Sequence, residues 1–143
     1  IGPVDKSDRK KFHSIINEPF FKDRIRHYKW KDISLLPSYL HISDIAISPL
    51  IKNPQHESGI ANKVFQYMLF ETPTIVSDCK PQADLIKNEN AGLVFKSDSV
   101  EDLAEKIIQL LQDRNLLDKM GLNGKNAVLE KYNTEITGNQ LLK

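Results

Sequence analysis

Cysteine, long apolar runs and a surplus of charge of either sign are all scarce in this chain, and each scarcity removes a class of protein. One cysteine, Cys79, stands among 143 residues, so no internal disulfide staples the chain and a reducing cytosol suits it. No apolar run approaches the ~20 residues that span a bilayer, and no signal peptide opens the sequence. Lys plus Arg number 20 against 19 Asp plus Glu, a net charge of +1, whereas a nucleic-acid binder carries a concentrated basic surplus. The run Arg9-Lys10-Lys11 reads as a solvated helix face. His13, His27, His41 and His56 lack metal-ligand spacing, and with a single cysteine no metal centre is expected. No repeat, low-complexity stretch or linker rich in Pro, Gly and Ser divides the sequence, which suits one domain over residues 1–143.

What is present is an ordinary balance, 40% hydrophobic and 27% charged, arranged in alternating strand and helix patterns. The periodicity predicts helices over 5–17, 35–42, 60–70, 82–87 and about 99–113. Two more, 114–120 and 123–132, are expected to break near Gly121, and 133–143 to be helical and peripheral. Strands are expected over 24–30, 44–48, 74–77 and 92–95. Strands alternating with helices imply an α/β, Rossmann-like three-layer α/β/α domain with a parallel sheet of about four to five strands. The chain starts with Ile1-Gly2-Pro3, which looks like the tail of a strand, so an excised piece of something larger is expected.

Ligands of such sheets bind where the strands' carboxyl ends meet their loops. Three loops are expected to converge there: 49–59, 78–81 and 30–32. In the first, Glu57-Ser58-Gly59 leads into a helix that carries Lys63. Gly59 by itself reads as a plain loop glycine before a helix; in a ligand site it admits backbone angles closed to other residues and lets a ligand come close. The N–H groups of Ile60, Ala61 and Asn62 are candidate free donors at the positive helix end, and Lys63 adds an ammonium group: a place for phosphate. Gln66 is placed to bond ribose hydroxyls, or backbone instead. Glu57 or Ser58 either caps the helix or touches the sugar or phosphate. His56 reads as a loop residue and Cys79 as a small filler.

The order and spacing of several segments resemble the carboxyl-terminal, donor-binding half of a retaining glycosyltransferase of the two-domain GT-B architecture, in the large family four. The match runs through the Gly2-Pro3 turn, Tyr28-Lys-Trp-Lys31, Leu36-Pro through Ser48-Pro49, Asn62-Lys-Val-Phe-Gln-Tyr-Met68 and Thr72-Pro-Thr-Ile-Val-Ser77. It continues through Ala91-Gly-Leu-Val-Phe95, Asp98 to Ala104, and Met120-Gly121. The family's two glutamates, eight positions apart, fall on Ser58 and Gln66, and Glu71 takes the place of the usual glycine, so that turn must be made differently. The resemblance implies a UDP- or GDP-linked sugar as donor, with Lys63 as the catalytic cation and no metal. Glu57, Ser58, Gly59, Ile60, Ala61, Asn62 and Gln66 would hold the donor, and Trp30 and Lys31 would line the nucleobase. It also implies an acceptor domain upstream of Ile1, and a cytoplasmic location at the inner face of the membrane through that missing half. Two other readings stay open: a flavodoxin-like receiver with Asp78 as phosphoacceptor, which lacks the early acidic pair, and the donor half of a nucleotide-sugar epimerase.

Overall fold

In a computed structural model of the chain, residues 3–133 are described. They divide into two compact units, 1–36 and 37–143.

The first unit holds helix α1, Arg9–Ile16, and a 3-10 turn over Ile33–Leu35 whose cap is Asp32, accepting from the Ser34 N–H at 2.9 Å. The expected strand over 24–30 does not form: residues 25–32 carry neither helix nor strand. Alternating sequence marks two faces, but a strand exists only with a ladder partner, and the described residues give this segment none.

The second unit, entered through α2 (Leu36–His41), contains a parallel sheet in the order β1 (Ala46–Ser48), β2 (Thr74–Ser77), β3 (Gly92–Phe95). Ala46 pairs with Thr74, and Thr74 with Gly92. Three strands are thus fewer than the four to five expected. The crossovers are α3 (Asn62–Leu69) and α4 (Lys80–Asn88); α5 (Val100–Gln112) and α6 (Arg114–Lys131) follow. All four β2 residues are buried, as a central parallel strand covered on both faces requires. Val64, Met68, Val76, Ile86, Ala127 and Val128 form the core on one face, and Ile75, Phe95 and Leu110 that on the other. The period-2 alternation of Ile75 and Val76 between these cores makes three layers.

Several helix boundaries differ from expectation. The α1 helix starts at Arg9 rather than residue 5, after a turn in which the Asp8 and Arg9 N–H groups bond Asp5 O. The α3 helix starts at Asn62 rather than residue 60, because Ala61 at its N-cap is extended and offers no side-chain acceptor. The α4 helix starts two residues earlier, with Pro81 in its first turn. The α6 helix runs unbroken through Gly121. A Cβ there would lie 2.2 Å from the Glu71 carbonyl oxygen, and one at Gly124 would lie 3.3 Å from Met68. Both glycines serve the close approach of α6 to α3 and its C-terminal turn.

That turn corrects a further expectation. Glu71 takes the left-handed conformation (φ 58°) that a glycine would take, and the Thr72 N–H reaches Tyr67 O while the Glu71 N–H reaches Met68 O. This is the double-bonded helix stop that glycine usually makes, and the Glu71 carboxylate is held by Lys125. The turn is therefore made the usual way, with strain offset by an ion pair and the Gly121 contact. The expectations for residues 1–2 and 134–143 lie outside the described residues.

Candidate functional site

At the carboxyl rim of the sheet, Ser48, Ser77 and Phe95 end their strands and three loops begin. Beneath them sits a buried polar cluster. The Gln82 side chain is 0% exposed; its Oε1 accepts from Ser48 Oγ at 3.0 Å and its Nε2 donates to Ser77 Oγ at 2.8 Å. Ser77 Oγ in turn donates to Leu50 O at 2.6 Å. A buried amide with its bonds filled fixes where the loop after β1 leaves the sheet.

Above that cluster, Asp78 joins all three loops. Its carboxylate accepts from Lys52 Nζ at 2.8 Å, from the Ser97 N–H at 2.8 Å and from Ser97 Oγ at 2.5 Å. Burial works to raise its pKa, but the bonds from Lys52 and Ser97 outweigh that and hold it well below the usual carboxylate range. The same bond keeps the Lys52 ammonium charged above its ordinary range. Sequence reasoning missed this hub, whose partners lie 26 and 19 residues away. Its only local signal was a polar Ser-Asp pair at a strand end.

The loop after β1 runs from Pro49 to α3. Asn53 accepts from the His56 N–H at 2.8 Å, and Ser58 Oγ donates to Gln55 O at 2.7 Å. Ser58 therefore closes its own loop and caps nothing. Glu57 does not cap α3 either; its Oε2 accepts from the Lys80 N–H, the first of α4, at 3.3 Å. Gly59 is exposed, has no left-handed backbone angle, and has open space where a Cβ would be. Its backbone is that of a plain loop glycine, and open space lies beside it.

Ile60 and Ala61 precede α3 rather than open it; the N–H groups of Ile60, Ala61, Asn62 and Lys63 have no partner among the described residues, and Val64 is the first to bond, to Ala61 O. Lys63 is half-buried, and burial pushes its pKa down. Among the described residues no carboxylate pairs with it. Gln66 lies half-buried one turn further along α3, in helical register with Asn62 and Lys63 rather than with Gly59. The structure thus brings Glu57, Ser58 and Gly59 together with the α3 opening and the Asp78 corner. Trp30 and Lys31 belong to the first unit; Trp30 is 79% exposed, and Lys31 Nζ sits 5.5 Å from the Tyr28 ring centre.

A cavity of about 440 Å³ opens at the opposite rim, between Asp44, Glu71, Pro73 and Arg114. No expected site residue lines it, and its charges satisfy one another: Arg114 bonds Asp44 at 2.8 Å and Asp118 at 3.2 Å. A parallel strand layer covered by helices on both faces, with loops that lead into helices at its carboxyl rim, defines a Rossmann-like domain.

The chain belongs to the family described as glycosyl transferases group 1, which matches residues 1–127. It is similar to the capsular polysaccharide biosynthesis glycosyltransferase CapM of Staphylococcus aureus, 27% identical over 88 residues that make up 62% of this chain and 23% of CapM. Its fold matches the C-terminal domain of a glycosyl transferase group 1 family protein, LpcC, from Francisella tularensis (TM-score 0.75, 20% identity, 92% of this chain and 66% of that one). It also matches Anabaena HepE, solved in complex with UDP (TM-score 0.83, 13% identity, 99% of this chain and 38% of that one). The chain spans between 23% and 34% of the length of the curated relatives it matches. The family is one of glycosyl transferases rather than of receivers or epimerases.

Proposed function

We propose that this chain is the donor-binding half of a retaining glycosyltransferase that builds a cell-surface polysaccharide or glycoconjugate. It holds a UDP- or GDP-linked sugar. As the bond between the anomeric carbon and the diphosphate oxygen breaks, its electron pair leaves with the diphosphate. The N–H groups of Asn62 and Lys63, with the Lys63 ammonium, stabilise that growing charge, and this chemistry calls for no metal. Gly59 leaves room for the diphosphate above the helix, and Glu57 and Ser58 shape the loop that delivers it. Gln66 bonds the ribose hydroxyls without the charge of a carboxylate. The acceptor comes from a separate half of the protein, on the cytoplasmic side where the nucleotide sugar is met, and the 143 residues alone bind donor without turning it over.

The observation that carries this reading is Lys63: a half-buried ammonium group with no carboxylate partner among the described residues, beside two unpaired N–H groups at a helix opening. Burying a charge without a counter-charge is costly, and an incoming anion relieves the cost. The UDP bound to HepE, which shares the fold, supports the choice of ligand. Lys63→Ala is the test. Followed by Trp30 fluorescence or calorimetry, UDP or GDP affinity is expected to fall roughly ten- to hundredfold, the loss of one or two charge-assisted bonds. The parent nucleosides are expected to bind nearly as before. Equal losses for diphosphate and nucleoside would contradict the assigned role.

A further inference from the structure

The near-neutral total conceals an uneven distribution. Residues 1–36 hold nine Lys and Arg against five Asp and Glu, whereas residues 37–143 hold eleven against fourteen. The pairing differs as sharply. In the second unit Lys52, Lys80, Lys106, Arg114, Lys125 and Lys131 each meet a carboxylate. In the first, all nine cations are exposed and none forms an ion pair among the described residues. Arg9, Lys10 and Lys11 occupy the first turn of α1, with no acidic residue there and no side-chain cap from Asp8. Cations at that end oppose the helix dipole, so the arrangement favours an external anion. Large apolar side chains are exposed in the same unit: Phe20 at 61%, Ile33 at 71% and Leu35 at 44%. Arg24 lies 4.4 Å over the Phe20 ring.

We propose that the first unit is a docking surface for an anionic lipid bilayer. Unpaired Lys and Arg, led by Arg9, Lys10, Lys11, Lys22, Arg24 and Arg26, attract acidic headgroups, while the exposed Phe20, Ile33 and Leu35 side chains enter the headgroup boundary. The aliphatic stems of the cations lie along that boundary with their charges toward the headgroups. A duplex nucleic acid would use the charge but leave Ile33 and Leu35 without a role, which favours the bilayer. The surface does not require Trp30 or Lys31, and the proposal stands apart from donor binding.

Flotation of the 143-residue chain with vesicles tests this. Vesicles of phosphatidylcholine with a third phosphatidylglycerol are expected to capture the chain at least tenfold more strongly than phosphatidylcholine alone. Capture is expected to be lost at about 1 M salt, where the Debye length falls to about 3 Å. The charge reversals Lys10→Glu and Lys11→Glu together should reduce capture severalfold, and Phe20→Ser should weaken it at low salt. Circular dichroism of each variant checks its fold, and the lipid and salt comparisons on the unaltered chain decide the matter even if a variant misfolds. No capture, equal capture by both lipids, or tighter binding to a DNA duplex than to the anionic vesicles would overturn the proposal.

Discussion

Lys63 carries its charge into a half-buried place at the opening of α3, where burial and the helix dipole both work against it. Burial lowers its pKa, so the ammonium is lost at a lower pH than for an ordinary lysine, which titrates near 10.4. The protonated form is the one that attracts a diphosphate. Affinity for UDP is therefore expected to be flat at neutral pH and to fall on the alkaline side with a midpoint below that of a free lysine, and the fall should vanish in Lys63→Ala. A profile with the same alkaline fall in the variant would assign it to another group. Asp78 shows the opposite case, a carboxylate whose bonds to Lys52 and Ser97 outweigh its burial. The place of Lys63 at a helix opening was legible because a loop, a glycine and an early lysine lie within five residues. Asp78 was not, because its partners are remote in sequence and adjacent only in the sheet.

At the scale of elements, the buried strands were readable because Thr74–Ser77 and Gly92–Phe95 are short apolar runs bounded by Pro73 and Phe95's polar successors. The segment 24–30 carries an equally clear alternation, yet pattern alone supplies no ladder partner. Gly121 misled for a related reason. Local propensity reads a glycine as a helix break, whereas α6 continues because α3 and its turn need the missing Cβ. Gly121→Ala is accordingly expected to destabilise the fold by about 1–3 kcal/mol through overpacking against backbone that cannot yield. Gly59→Ala, facing open space, should leave urea unfolding unchanged within about 0.5 kcal/mol and weaken UDP binding. If Gly121→Ala proved neutral, the close approach of α6 to the Glu71 turn would be wrong. Should Gly59→Ala bind UDP as the parent does, the diphosphate does not pass over that position.

For the whole molecule, family membership and fold are shown, and the two ends of the sheet differ in their chemistry. The carboxyl rim holds a cation and N–H groups that have no partner among the described residues, and loops tied together by Asp78. The opposite rim holds the cavity of about 440 Å³, whose charges are already matched. Size of cavity and chemistry therefore point to different ends, and the unmatched charge is the better guide to an anionic ligand. The most direct measurement is amide chemical-shift mapping of the 143-residue chain during titration with UDP, with uridine as reference. Shifts concentrated at Gly59 to Gln66, larger for the diphosphate than for the nucleoside, are the expected result. Shifts clustering instead around Asp44, Glu71 and Arg114, or none at millimolar UDP and GDP, would contradict it.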